Sequence, residues 1–156
     1  MAKEIERKFI ISKDIPLEGL PFSSIEQGYL STDPNKTVRV RIKDTTAFLT
    51  IKGRTEGITR DEFEYTIPID DAKQLLKMTS NKINKKRYYY HNPPHLWEID
   101  IFEDENRGLY LAEVELNEST EEVILPQWII KEVSGEDKYY NSQLCISPFT
   151  SWSNEP

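Results

Sequence analysis

Along this chain, apolar and charged residues alternate with a period of two, again and again. In EIERKF, near the N-terminus, Glu4, Glu6 and Lys8 fall on one face of an extended segment and Ile5, Arg7 and Phe9 on the other, because successive side chains of a strand point to opposite sides. TVRVRIK sets Arg39, Arg41 and Lys43 against Val38, Val40 and Ile42, and FLTIKG sets Thr50 and Lys52 against Leu49 and Ile51. RDEFEYTI, KKRYYY, WEIDIF and LAEVEL continue the series, and IEQGYLS is a weaker member with Gln27 and Tyr29 on one face. The pattern predicts about eight strands. Turn signals at DPNK, GRTEG, NPPH and ENRG separate many of them, so the expected fold is mainly β (α+β): an antiparallel sheet of about eight strands, a number that commonly closes into a barrel.

Helices are few. DDAKQLLKM offers Asp70 or Asp71 as N-cap and Leu75, Leu76 and Met78 to bury, and STEEVIL has Ser119 and Glu122 at capping-box spacing before Pro126 stops it. EDKYYNSQLC predicts a last helix with Tyr139 and Leu144 inward. The stretch from about 147 to 156 reads as a loose tail whose Phe149 and Trp152 can dock. Residues 1–156 are expected to form a single domain, long enough to bury a real core.

The charged faces are unusual in their sign pattern. Glu4/Glu6, Arg39/Arg41, Glu62/Glu64, Lys85/Arg87, Glu98/Asp100 and Glu113/Glu115 are all like-charged pairs two residues apart. Solvated sheet faces usually mix signs so that neighbours attract. Charges at this spacing lie about 7 Å apart, and they repel by about 0.6 kcal/mol in water but about 2 kcal/mol at an effective dielectric of 20. If enclosed, such pairs need counter-charges from neighbouring strands, metal ions and an anionic ligand together. Carboxylates suit a hard divalent cation, and guanidinium and ammonium groups suit phosphate oxygens. A filled charged interior also inverts the usual small barrel, so Ile5, Phe9, Val38, Val40, Leu49, Ile51, Phe63, Ile99 and Val114 would need cover from outside.

Composition narrows the partners. A net charge of -7 disfavours binding to nucleic acid or to an anionic membrane, both of which call for excess Lys and Arg. No apolar run approaches a membrane span and no secretion signal stands at the N-terminus, so the cytoplasm is expected, in keeping with one cysteine, Cys145, that reads as packed. There is no GxxxxGK[ST] loop, and His91 and His95 flank Pro93 and Pro94 as turn residues, where the prolines prevent a helical metal pair.

Glu4-Ile5-Glu6-Arg7-Lys8-Phe9 resembles the ExExK signature of CYTH domains, the triphosphate tunnel metalloenzymes. The ordered set Gln27-Gly28-Tyr29, Arg39-x-Arg41, Lys52, Arg60-x-Glu62-x-Glu64, Lys85-x-Arg87, Glu98-x-Asp100 and Glu113-x-Glu115 is similar to their later strands, and the likeness runs from Met1 to about Asn141. The resemblance implies an eight-stranded antiparallel closed barrel forming a tunnel, with Mg2+ or Mn2+ and a small-molecule triphosphate inside. It implies Glu4, Glu6 and Glu115, with Glu113 beside them, as metal ligands, and Lys8, Arg39, Arg41, Lys52, Arg60, Lys85 and Arg87 as phosphate contacts. Glu62, Glu64, Glu98 and Asp100 would orient the basic residues, help hold a second metal or position water. Lys8 with Tyr29 is an alternative proton-handling pair, on the premise that cation crowding lowers the lysine pKa. Lys138 stands where the family often has an arginine that contacts phosphate. The implied reaction is water attack on the terminal phosphorus, with inorganic tripolyphosphate as first candidate. ATP cyclisation of the class IV adenylate cyclase type, thiamine triphosphate hydrolysis and noncatalytic polyphosphate binding stay open, as do a homodimer and, with no ligand at all, a solvated β-sheet protein using its faces for partner contacts.

Overall fold

The computed structural model describes residues 3–152. Eight strands form the wall of a barrel: β1 (Lys3–Ile11), β2 (Phe22–Ser31), β3 (Lys36–Lys43), β4 (Thr46–Gly53), β5 (Thr59–Ile67), β6 (Lys82–Asn92), β7 (His95–Phe102) and β8 (Tyr110–Glu115). Their order is β5-β4-β3-β2-β6-β7-β8-β1, every pair antiparallel, and the ring closes through Lys3↔Asp61, Glu4↔Arg60 and Ile5↔Thr59. The expected closed antiparallel barrel is what forms. A short ninth strand, β9 (Ile129–Glu132), adds to β1 where β5 leaves off. It was not anticipated, because Ile129-Ile130 breaks the alternation and the strand has only four residues.

Local chemistry sets the register. The β3–β4 turn places Asp44 at φ 53, a left-handed conformation that Asp tolerates, and its carboxylate accepts from the Ser24 amide at 2.9 Å, pinning the hairpin to β2. Gly28 faces the connector that follows the first helix: a Cβ there would sit 2.5 Å from Thr79 Oγ1. Only glycine lets that connector lie against β2.

The apolar core lies mostly outside the wall, as enclosure of charge requires. Phe9, Ile11, Trp97, Ile99, Ala112 and Val114 are covered by Ile15, Leu17, Val123 and Trp128 from two long connections. The helix α1 (Ile69–Leu76) lays Ala72 and Leu76 on Val40 and Ala47. Cover is incomplete on β4 and β5, where Ile51 and Phe63 stay 37% and 45% exposed. A third cluster closes one end of the barrel. Ile83 and Leu111, each two residues from an inward charge, meet Val133, Tyr139, Leu144 and Cys145 of the C-terminal segment, and Phe149 and Trp152 pack on that plug. Residues 153–156 of the expected tail lie outside the described residues.

Three helical expectations change. Pro68 is the N-cap of α1, with Asp70 and Asp71 in its first turn, where their charge favours the helix dipole. STEEVIL is not helical: Glu121 accepts from the Asn117 amide at 2.8 Å and pairs with His95, while Val123 is drawn onto the barrel wall. His91 and His95 are strand residues at the ends of the β6–β7 turn, not in the turn itself. The last helix is broken: a 3-10 turn (Asp137–Tyr139) and α2 (Asn141–Leu144) flank Tyr140, which is extended at φ -68 and ψ 137. Among the described residues, no helix is long and apolar enough to cross a membrane.

Candidate functional site

The inward faces of the barrel strands enclose a cavity of about 280 Å³. Lys8, Tyr29, Arg39, Arg41, Lys52, Arg60, Lys85 and Arg87 line it, together with Glu4, Glu6, Glu62, Glu64, Glu98, Glu113 and Glu115. Period-two alternation delivers all of these to one side of the wall, and closure of the sheet turns that side inward. Asp100 lies in the wall itself, 2% exposed. Lys138 is not brought to the cavity; its Nζ lies 4.6 Å from the Trp152 ring centroid, on the outside of the plug. Five lining residues escaped the sequence reading as site groups: Thr37, Lys43, Tyr140, Asn141 and Ser142. Thr37 and Lys43 continue the Arg39/Arg41 alternation and could have been found; the other three depend on the broken C-terminal helix, which no local pattern announces.

The basic wall is built on β2, β3 and β6. Asp100 accepts two hydrogen bonds from Arg87 (2.8 and 2.9 Å) and one from Lys85 (2.7 Å), so both its oxygens are committed to orienting cations. Those cations hold its carboxyl well below the usual range despite burial. This favours the orienting role for Asp100 over metal ligation. Arg87 also reaches Glu113 at 3.2 Å and Glu98 at 3.4 Å. Arg39 donates to Thr50 and Glu64, yet its Nε is buried without a hydrogen-bond partner. Arg41 donates to the neutral Gln27 at 2.8 Å and has no carboxylate partner among the described residues. Burial and the adjacent Arg39 and Arg87 lower its pKa to about 9. For Lys85, burial outweighs the pull of Asp100 and is reinforced by Arg87 and Arg41, bringing it down to about 7. This wall holds more positive charge than the protein neutralises.

The opposite wall, on β1, β5 and β8, has the converse problem. Lys52 donates to both oxygens of Glu4 (3.0 and 2.9 Å) and approaches Glu62 at 3.4 Å. Glu6 and Glu115, register partners across β1 and β8, make no hydrogen bond or ion pair among the described residues. Burial first, then Glu113 and Glu4, push Glu6 up to about 8; Glu62 and Glu115 are raised by burial and by Glu4. Glu4 and Glu113 are the exceptions: Lys52 lowers Glu4 against burial, and Glu113, bridging Lys8 and Arg87 at 3.2 Å each, is drawn down to about 2 against burial. Carboxylates pressed together without enough cation form a hard-oxygen donor set suited to a divalent ion. Among the described residues, no three acidic side chains already converge on one point, since Glu4 and Glu113 are held by lysine and arginine.

Lys8 differs from its expected premise. Glu113 and Glu6 outweigh burial and raise its pKa, so it is a charged donor, with its Nζ bonded to the Tyr139 carbonyl at 3.1 Å beneath the Tyr140 ring. The lysine with a lowered pKa is Lys85.

Comparison with known proteins agrees with this geometry. The CYTH domain family model matches residues 2–142. The chain is similar to an inorganic triphosphatase of Acetivibrio thermocellus, 40% identical over 154 residues that cover 97% of this chain and 99% of that protein. It is also similar to an inorganic triphosphatase of Nitrosomonas europaea, 32% identical with 92% and 97% covered. The crystal structure of the inorganic triphosphatase NE1496 superposes with a TM-score of 0.67 at 32% identity, covering 92% of this chain and 98% of that one. The charged barrel and these likenesses together place the chain in the CYTH domain family.

Proposed function

We propose that this protein is a divalent-metal-dependent hydrolase of a small-molecule triphosphate, with inorganic tripolyphosphate as the preferred substrate. The observation that carries the reading is the paired shortage of counter-charge inside one closed cavity: Arg41 and the Arg39 Nε lack anionic partners on one wall, and Glu6 and Glu115 lack cationic ones on the other. A condensed phosphate chain bound with a metal ion answers both at once. The name inorganic triphosphatase carried by the relatives supports it.

Arg39, Arg41, Lys85 and Arg87 would bind the phosphate oxygens, the guanidiniums through paired donors. Glu6, Glu115 and Glu4 would hold the ion, Mg2+ or Mn2+, which when bound supplies further neutralisation of phosphoryl charge and polarises water. Glu62 and Glu64, tied to Lys52 and Arg39, keep those cations in place, and Lys8 stays protonated as a donor beside Glu113. Catalysis of this kind is mainly positioning and electrostatic stabilisation of the transferring phosphoryl group. The buried, unpaired Cys145 and the acidic balance support work in the cytoplasm without nucleic-acid partners.

A second chamber of about 500 Å³ opens beside the first and shares Thr37, Arg60, Tyr140 and Ser142 with it. It has room for a substituent on the triphosphate, which favours ATP or thiamine triphosphate as the second reading. Product chromatography after incubation with tripolyphosphate, ATP and thiamine triphosphate, with Mg2+, Mn2+ or chelator, decides. The proposal expects fastest orthophosphate release from tripolyphosphate, and none in chelator. Binding without any release would make the protein a polyphosphate-binding module.

A further inference from the structure

Gln27 is fully buried, and it connects the two halves of the basic wall. Its Oε1 accepts from Arg41 Nε at 2.8 Å, and its Nε2 donates to Tyr29 Oη at 3.1 Å and to Asn141 Oδ1 at 3.4 Å. Asn141 Oδ1 also accepts from Lys85 Nζ at 2.9 Å. A chain of two neutral amides thus runs from Arg41 to Lys85. Its direction is forced: arginine and lysine only donate, so each amide turns its oxygen to a cation, and the remaining Gln27 amino group must then face Asn141 and Tyr29. Because Tyr29 Oη accepts from Gln27, its own hydrogen is left to donate into the cavity it lines.

The choice of amides has an electrostatic consequence. Elsewhere in the cavity the protein fixes a cation with a carboxylate, as Asp100 fixes Arg87 and Glu4 fixes Lys52. Each such carboxylate cancels the charge it positions. At Arg41 the orienting group is neutral, so the guanidinium is held at Nε while both terminal nitrogens lack a protein partner among the described residues. A carboxylate at the same place would pair with the guanidinium and set a negative charge beside the position where phosphate binds.

We propose that Gln27, braced by Asn141, is a positioning residue that orients Arg41 without neutralising it, and so sets the affinity of the cavity for condensed phosphate. The inference rests on the triphosphate reading above. It is tested with Gln27→Glu, Asn141→Asp and Gln27→Met, using calorimetric binding of inorganic tripolyphosphate in chelator, steady-state kinetics with metal, and thermal unfolding. Gln27→Glu and Asn141→Asp are each expected to weaken tripolyphosphate binding by about tenfold or more, raising KM with kcat little changed, while the unfolding midpoint is not lowered. Gln27→Met keeps the size and removes the hydrogen bonds, and is expected to lower the midpoint as well as the affinity. Should Gln27→Glu not fold, Asn141→Asp at the less buried end of the chain carries the test. Wild-type affinity in the acidic variants overturns the inference alone, as do affinity losses that merely follow losses of midpoint in all three. Failure of the wild type to bind tripolyphosphate overturns the functional reading with it.

Discussion

Two clusters in one cavity illustrate opposite uses of buried charge. Around Asp100, every charge is answered: Arg87 and Lys85 donate three hydrogen bonds to it, with Glu113 and Glu98 behind. Glu6 itself makes no ion pair among the described residues, and burial with Glu113 and Glu4 outweighs the pull of Lys52 and Lys8 on it. The first cluster is a strut that shapes the wall. The second is a carboxylate left without a counter-ion, at a cost that the surrounding fold bears. The contrast teaches that a charged lining is not uniform: some members are neutralised by their neighbours and others are left to be neutralised from outside the protein under the function proposed above.

The comparison can be broken from either side. The largest effect is expected from Asp100→Ala, which strands two buried cations and should lower unfolding free energy by about 3–5 kcal/mol in urea titrations. Glu6→Gln should behave in the opposite manner. It is expected to reduce metal-dependent phosphate release by about 100-fold or more, yet leave the metal-free protein as stable as the wild type or more so, because it removes a charge that burial and acidic neighbours oppose. Loss of stability in Glu6→Gln, or full activity, would erase the distinction between the paired and the unpaired cluster.

The smallest effect is in pH dependence, and the two clusters give it opposite signs. Glu6 titrates higher in the fold than its ordinary 4.5, so its contribution is full below 4.5 and is lost as pH rises through about 8. Asp100 and Glu113 titrate lower in the fold, so theirs is full above 3.8 and 4.5 and is lost as pH falls toward about 2. Urea unfolding in chelator should therefore show stability declining on both sides. Glu6→Gln should flatten the alkaline limb only, and added divalent cation should do the same in the wild type.

Much of this was legible in advance, for a local reason. Glu4, Glu6 and Lys8 share a face by the geometry of any extended backbone, and the recurrence of like-charged pairs made enclosure the better reading before any partner was known. The cavity-lining residues carried by strands were accordingly all named in advance except Thr37 and Lys43. Less legible was whatever hung on the C-terminal segment. Lys138, expected at phosphate, sits on Trp152, whereas its neighbours Tyr140 and Asn141 enter the cavity because the chain turns extended at Tyr140. The missed β9 and the helix expected at STEEVIL failed similarly: both segments take their form from the barrel wall they lie against.

By itself, then, the sequence determined the strands, the face each presents and the kind of charge that face carries, since these follow from a two-residue repeat that needs no distant contact. The tertiary structure decided which charges are neutralised. Lys52 finds Glu4 across 48 residues and Arg87 finds Glu113 across 26, while Glu6 finds no one. Pairing depends on which strands closure of the barrel brings together, and that is a property of the whole ring.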